Sequence, residues 1–184
     1  KKAYSILTDR LKTQGMRSTL IWMYVRGIGV VTGIPVLKFS RVTSQIYVGS
    51  QYGNVGKSKL ERLGIHYCVN MRIEFDSRER GLALDNYCHL PTVDDCAPTL
   101  EHLDEGVRFI NKAVTAGGKV YIHCAGGVAR APTMAAAYFI SRGRQLEDAF
   151  DLIREARPFI RPMPQQIEQL KQFEAIQLAK GKNT

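Results

Sequence analysis

One stretch, Lys119-Val-Tyr-Ile-His-Cys-Ala-Gly-Gly-Val-Ala-Arg-Ala-Pro-Thr133, constrains this chain more than any other. It opens as an apolar, β-branched run of strand type, Val120 to Ile122, and crosses a loop of small residues, Cys124 to Ala129. It then enters an alanine-rich segment with the composition of a helix. Strand, glycine loop and helix N-terminus in that order form an anion cradle, because consecutive backbone N–H groups are left without intrahelical partners and point inward. This cradle begins with a cysteine and ends with an arginine six positions on, which points to chemistry on phosphate.

A thiol is a strong nucleophile only as its thiolate, and an ordinary cysteine of pKa ~8.5 is ionised to a few per cent at neutral pH. Helix N-termini and rings of N–H dipoles favour the anion, and the same donors suit the non-bridging oxygens of a phosphoryl group. Gly126 and Gly127 permit close backbone approach and unusual φ angles. Arg130 can add a bidentate, charge-assisted pair with two phosphoryl oxygens, stabilising charge spread over them in a loose transition state. The plainer alternative is a buried structural cysteine ahead of an ordinary strand–helix turn. The pattern His-Cys-x-x-Gly-x-x-Arg arises by chance in a chain of this length with a probability of about 10⁻⁴ to 10⁻³ at average residue usage.

The rest of the chain alternates short strands with helices. Ser44 to Gly49 reads as a strand, Gly56 to Leu63 as a short helix and Ile65 to Met71 as a buried strand. Arg72 to Asp85 is charged and aperiodic, hence a loop, and Tyr87 to Leu90 makes another strand. Thr99 to Ala116 is strongly amphipathic, with Leu100, Leu103, Val107, Ile110 and Val114 on one stripe, Thr99 as N-cap and Gly117-Gly118 as a stop. Pro132 to Ser141 is apolar all round and reads as a buried helix; Gln145 to Arg154 and Pro164 to Leu178 are two more. The alternation predicts an α/β sandwich whose ligands bind beyond the carboxyl ends of the strands, where Cys124 falls.

Charge divides the 184 residues in two. Residues 1–41 hold eight Lys/Arg against Asp9 alone, whereas residues 42–184 hold 18 against 16 Asp/Glu. The basic character therefore belongs to the N-terminal extension, residues 1–38, and the domain proper, 39–184, is nearly neutral. Nucleic-acid binding needs cations clustered on a folded face with aromatics or a reading helix, and neither is present. Residues 19–37 are apolar but interrupted by Arg26, three glycines and Pro35, which weakens a membrane span, and no short apolar region leads to a signal-cleavage site. Two readings of the extension stay open: a helix and hairpin covering the domain, or a peripheral membrane-surface contact. Cys68, Cys88, Cys96 and Cys124 show no metal-ligand spacing, and free thiols in a reducing, cytoplasmic setting are expected.

His123-Cys-Ala-Gly-Gly-Val-Ala-Arg130 resembles the signature loop of the cysteine-dependent protein tyrosine phosphatases, in their dual-specificity branch. The likeness runs from about Phe39 to Leu178 and includes Ile46-Tyr-Val-Gly49, Leu90-Pro-Thr-Val-Asp94 and the Arg157–Pro162 turn. It implies a three-layer α/β sandwich with a mixed five-stranded sheet flanked by helices, a cysteinyl-phosphate intermediate, and no metal or cofactor. Cys124 would be the nucleophile, Ala125, Gly126, Gly127, Val128, Ala129 and Arg130 the phosphate site, and His123 the residue orienting the loop. A general acid is needed to expel an alkoxide or phenolate, and the family takes it from an aspartate about thirty residues before the cysteine. Asp94 lies at that distance and is preferred over Asp95, for which capping of the following turn or helix is the alternative.

The chain departs from the family pattern at Ala131, where a serine or threonine hydroxyl usually helps the thiolate leave; a slow second step is expected. No lysine occurs in Ala125–Ala129, which disfavours phosphoinositides. Asn70-Met-Arg-Ile-Glu-Phe-Asp76 resembles the mitochondrial-type phosphatidylglycerophosphate phosphatases and aligns Glu74 with a glutamate of their substrate loop, although a solvated charge explains Glu74 equally well. Three functions remain open: a phosphatase of phosphotyrosine and phosphoserine/threonine in proteins, a phosphatase of a lipid head group or small phosphate ester, and a phosphate-binding module with weak turnover. Cys88 or Cys96 could resolve an oxidised Cys124, against the plainer reading of inert thiols.

Overall fold

The computed structural model describes residues 39–181 together with Met16. The expected helix and hairpin of the N-terminal extension lie outside the described residues. In chain order the elements are β1 (Phe39–Arg41), β2 (Ile46–Gly49), α1 (Asn54–Arg62), β3 (Ile65–Arg72), β4 (Asn86–Thr92), α2 (Leu100–Thr115), β5 (Lys119–His123), α3 (Arg130–Ser141), α4 (Leu146–Ala156) and α5 (Pro164–Gly181). The sheet order is β1-β2-β5-β3-β4, with β1 antiparallel to β2 and the other four strands parallel. This is the expected mixed five-stranded sheet flanked by helices.

Period-two alternation divides the apolar residues between the two faces of the sheet. Ile46, Val48, Val69, Met71, Val120 and Ile122 enter the larger core, with residues of α2, α3, α4 and α5. Tyr47, Cys68 and Tyr121 point the other way, against Leu60 of α1 and Leu82 and Leu84 of the loop between β3 and β4. The near-continuous burial of β2, β3 and β5 is what parallel strands covered on both sides require. Pro91 is tolerated within β4 because that strand is an edge of the sheet.

Two differences from the sequence reading bear on the site. Helix α3 begins at Arg130 rather than Pro132, so the arginine occupies the first helical turn, where Pro132 lacks only an N–H that would be unpaired anyway. Strand β4 runs to Thr92 and delivers Asp94 two residues beyond its end. The carboxyl ends of β2, β3, β4 and β5 thus meet at one sheet edge, with Cys124 directly following β5.

Helix α2 starts as its sequence implies: the Thr99 hydroxyl accepts from the His102 N–H at 3.2 Å, and Gly117 follows the helix at φ +77°. Replacing Thr99 by Ala removes this cap and should lower stability by about 1 kcal/mol. Urea unfolding should show an earlier midpoint at unchanged slope, and an unmoved midpoint would mean that the cap contributes nothing.

Candidate active site

Residues 124–129 connect β5 to α3 without regular structure, and the carbonyls of 125–129 all accept hydrogen bonds. The Gln51 N–H donates to Ala125 O at 3.2 Å and the Arg161 N–H to Val128 O at 2.7 Å. Arg157 supplies two more bonds, Nη2 to Gly126 O at 3.0 Å and Nε to Gly127 O at 2.6 Å. Ala129 O accepts from both the N–H and the hydroxyl of Thr133, at 3.0 and 2.9 Å. With five consecutive carbonyls turned out, the loop is free to aim amides inward, and Gly127 N–H donates to the Cys124 sulfur at 3.2 Å.

The loop lies against the sheet so closely that Gly127 has no alternative. Its φ is +64°, and a Cβ there would stand 2.5 Å from the backbone carbonyl of Gly49 and 2.7 Å from Arg157 Nη2. Arg157 is itself buried beneath the loop, 1% exposed, with its guanidinium over the Phe159 ring at 4.4 Å. Burial pulls its pKa down to about 10, which leaves it charged at neutral pH. His123 is fully buried, its ring stacked on Tyr121 at 5.6 Å and edge-on to Tyr52 at 5.2 Å. Burial pushes His123 down to about 3, so the imidazole is neutral.

Arg130 is held from two sides. Glu74 accepts both terminal nitrogens in a bidentate pair, Nη1 at 2.9 Å and Nη2 at 3.0 Å, while Thr92 O takes Nη1 at 2.8 Å. Asp94 Oδ1 lies 2.8 Å from Nη2. The Nε of this fully buried guanidinium has no hydrogen-bond partner among the described residues. A buried charged donor left unpaired is costly, and an anionic oxygen is its natural complement. Hydrogen bonds from Arg130 and Arg72, opposed by partial burial, hold the Glu74 carboxyl down at about 2. Glu74 is therefore not a merely solvated charge: it orients the arginine.

Asp94 and Asp95 separate clearly. Asp94 reaches Arg130, whereas Asp95 takes a left-handed φ of +61° and lies exposed, its carbonyl accepting from the side chain of Gln165. Thr99, not Asp95, caps α2. Ala131 is fully buried in the first turn of α3. Burial pushes the Cys88 thiol up to about 12, which suits an inert thiol rather than an attacking one, while Cys96 is exposed beside the aspartates. Sequence reasoning placed Arg157 in a family turn but missed its support of the loop, and it missed Gln166, which is buried between α3, α5 and the segment carrying Asp94. For Arg157 the available signal was a cation beside Phe159 and Ile160 in a proline-bounded turn; Gln166 had none.

The dual specificity phosphatase catalytic-domain family model matches residues 46–176, most of the chain and all of this site. The chain belongs to the dual specificity phosphatase family. It is 32% identical over 136 residues to dual specificity protein phosphatase 1-B of Xenopus laevis, covering 73% of this chain and 36% of that protein. The corresponding Mus musculus protein, dual specificity protein phosphatase 1, is 31% identical over 140 residues, covering 75% and 38%. The chain thus spans little more than a third of the length of these relatives. Among solved structures, PTPMT1 in complex with PI(5)P superposes with a TM-score of 0.71 at 28% identity, covering 78% of this chain and 98% of that one. Human DUSP28 gives 0.69 at 27% identity, covering 77% and 99%.

The neutral burial of His123 makes stability depend on pH. Its folded pKa, about 3, lies below the ordinary value near 6.5, so the unfolded chain takes up the proton first. Stability should accordingly fall as pH drops from about 6.5, by at most ~1.4 kcal/mol per unit from this group, and Glu74 adds a further loss below about 4.5. Urea unfolding at pH 7, 6 and 5 measures this; an unfolding free energy that stays level across that range would contradict it.

Proposed function

We propose that this domain hydrolyses phosphate monoesters through a cysteinyl-phosphate, acting mainly on phosphotyrosine, and on phosphoserine or phosphothreonine, in proteins. One observation carries the reading: a buried arginine, fixed by Glu74 with its Nε unpaired among the described residues, stands at the end of a loop that begins with a cysteine and whose next five carbonyls are bonded elsewhere. The loop amides and Arg130 bind the non-bridging oxygens and aim the phosphorus at the Cys124 sulfur. The S–P bond forms as the ester P–O bond breaks, and Asp94 delivers a proton to the departing oxygen. Asp94, now a carboxylate, then takes a proton from water as that water attacks phosphorus, releasing inorganic phosphate and the thiolate.

A second reading, hydrolysis of a lipid head group or other small phosphate ester, is favoured by the rim. Ile73 and Val93 are both 53% exposed, stand next to Glu74 and Asp94 in sequence, and are brought together by the bond from Ile73 N–H to Thr92 O at 3.4 Å. An aliphatic rim of this kind suits an apolar leaving group, and the similar PTPMT1 structure holds PI(5)P. Comparing kcat/KM for a phosphotyrosine peptide, phosphatidylglycerophosphate and phosphoinositides under reducing conditions ranks the readings. Inactivity of the wild type on all of them would falsify the enzymatic reading, and turnover surviving Cys124→Ser would exclude the covalent route.

Ala131 makes the second step the slow one. Its methyl group offers no hydrogen bond to a departing thiolate, so phosphoenzyme should accumulate and product should appear in a burst. Ala131→Ser should raise kcat severalfold, a change of about 1 kcal/mol in the barrier, while leaving kcat/KM nearly unchanged because that ratio ends at the first chemical step. Equal gains in both parameters, or the absence of a burst in the wild type, would place the slow step elsewhere.

A further inference from the structure

Gln166 is fully buried, and its side-chain amide ties α3 to the segment that carries Asp94. Its Oε1 accepts from the Met163 N–H at 2.9 Å, closing the first turn of α5, and from the Thr133 hydroxyl of α3 at 3.2 Å. Its Nε2 donates to the Cys96 carbonyl at 2.8 Å. Thr133 sits three residues after Arg130, on the same face of α3. Cys96 lies two residues after Asp94, in a turn closed by Cys96 N–H on Val93 O at 3.1 Å. A second clasp runs alongside, from the Gln165 side chain to the carbonyl of Asp95, the residue held at φ +61°.

The segment that carries Asp94 is otherwise exposed from Val93 to Cys96. A loop without buried side chains of its own is among the least stable parts of a fold, and its geometry is set by what its backbone is tied to. Here the ties are two neighbouring glutamines at the start of α5. A side-chain amide suits this place because it donates to one carbonyl and accepts from an N–H without introducing charge.

We infer that Gln166 is a positioning residue for the general acid: it holds the Asp94 turn in register with Arg130, and Gln165 assists it from the surface. This rests on the reading of Asp94 as proton donor and concerns that step alone. Phosphate binding and attack by Cys124 use the 124–129 loop and Arg130, whereas the partners of Gln166 are Met163, Thr133 and Cys96. Loosening the turn therefore impairs proton delivery, which matters for poor leaving groups, and spares esters whose leaving group departs without a proton.

The test compares the wild type, Asp94→Asn, Gln166→Met and Gln165→Ala on aryl and alkyl phosphate monoesters spanning a wide range of leaving-group pKa. Asp94→Asn should slow the alkyl esters by about 10²-fold or more while changing an activated aryl ester far less, and it should remove the alkaline limb of the pH–rate profile. Gln166→Met should move in the same direction, by about tenfold on the alkyl esters, with the activated ester within about threefold of wild type. Gln165→Ala, at an exposed position, should show the same tilt more weakly and decides the matter if Gln166→Met does not fold. A uniform loss across leaving groups in the glutamine variants would reveal a merely structural role and overturn the inference. Should Asp94→Asn itself show no dependence on the leaving group, the assignment of Asp94 fails first.

Discussion

The site depends on keeping a run of peptide carbonyls away from the place where an anion binds. A loop can present several N–H groups to one point only if its C=O groups find partners on the opposite side, since buried carbonyls left unpaired are penalised. The partners here are four residues at three separate places in the chain: Gln51 after β2, Thr133 on α3, and Arg157 and Arg161 around the turn before α5. The cradle is thus a tertiary structure assembled by the whole domain, although all its own residues are contiguous. Gly127, pressed against the Gly49 carbonyl, marks where sheet and loop come too close for any side chain.

Arg157 performs this work at the expense of a buried charge with no carboxylate beside it in the loop. Two carbonyl dipoles and an aromatic face replace water around the guanidinium, and arginine tolerates the exchange because its charge is delocalised and weakly hydrated. Interactions with Tyr121 and Cys124 oppose the effect of burial and help keep the guanidinium charged. A lysine could offer a point charge but not two directed bonds to successive carbonyls.

Much of this was legible in the sequence, and the divide between what was and what was not follows sequence distance. The strand, the small-residue loop and the helix carrying Cys124 and Arg130 are contiguous, so a β-branched apolar run, a run of small residues and an alanine-rich segment revealed them. Asp94 followed from its spacing and from a family likeness. Glu74 could not be distinguished from a solvated charge, because its meaning lies in a bidentate bond to a residue 56 positions away. Arg157 and Gln166 act across separations of 30 to 70 residues, through backbone carbonyls that carry no side-chain signal. The start of α3 was placed two residues late because proline was taken as the boundary, whereas the helix accommodates it within the first turn.

Asp94 and Glu74 compete for the same guanidinium, and the competition has a direction. Glu74 grips both terminal nitrogens from behind, with Arg72 donating to the same carboxylate at 2.8 Å, so it is anchored whether or not a ligand arrives. Asp94 holds Nη2 by a single contact from a side chain that is 68% exposed, and nothing comparable among the described residues anchors it. A phosphoryl group entering the cradle brings negative oxygens to Nε and Nη2, and like charge drives the weaker of the two carboxylates away. In the proposed mechanism that displacement is productive. The side chain that yields is the one needed, in its protonated form, at the ester oxygen, and the turn that carries it is tied at Asp95 and Cys96, so it can swing only a short way from the arginine it leaves.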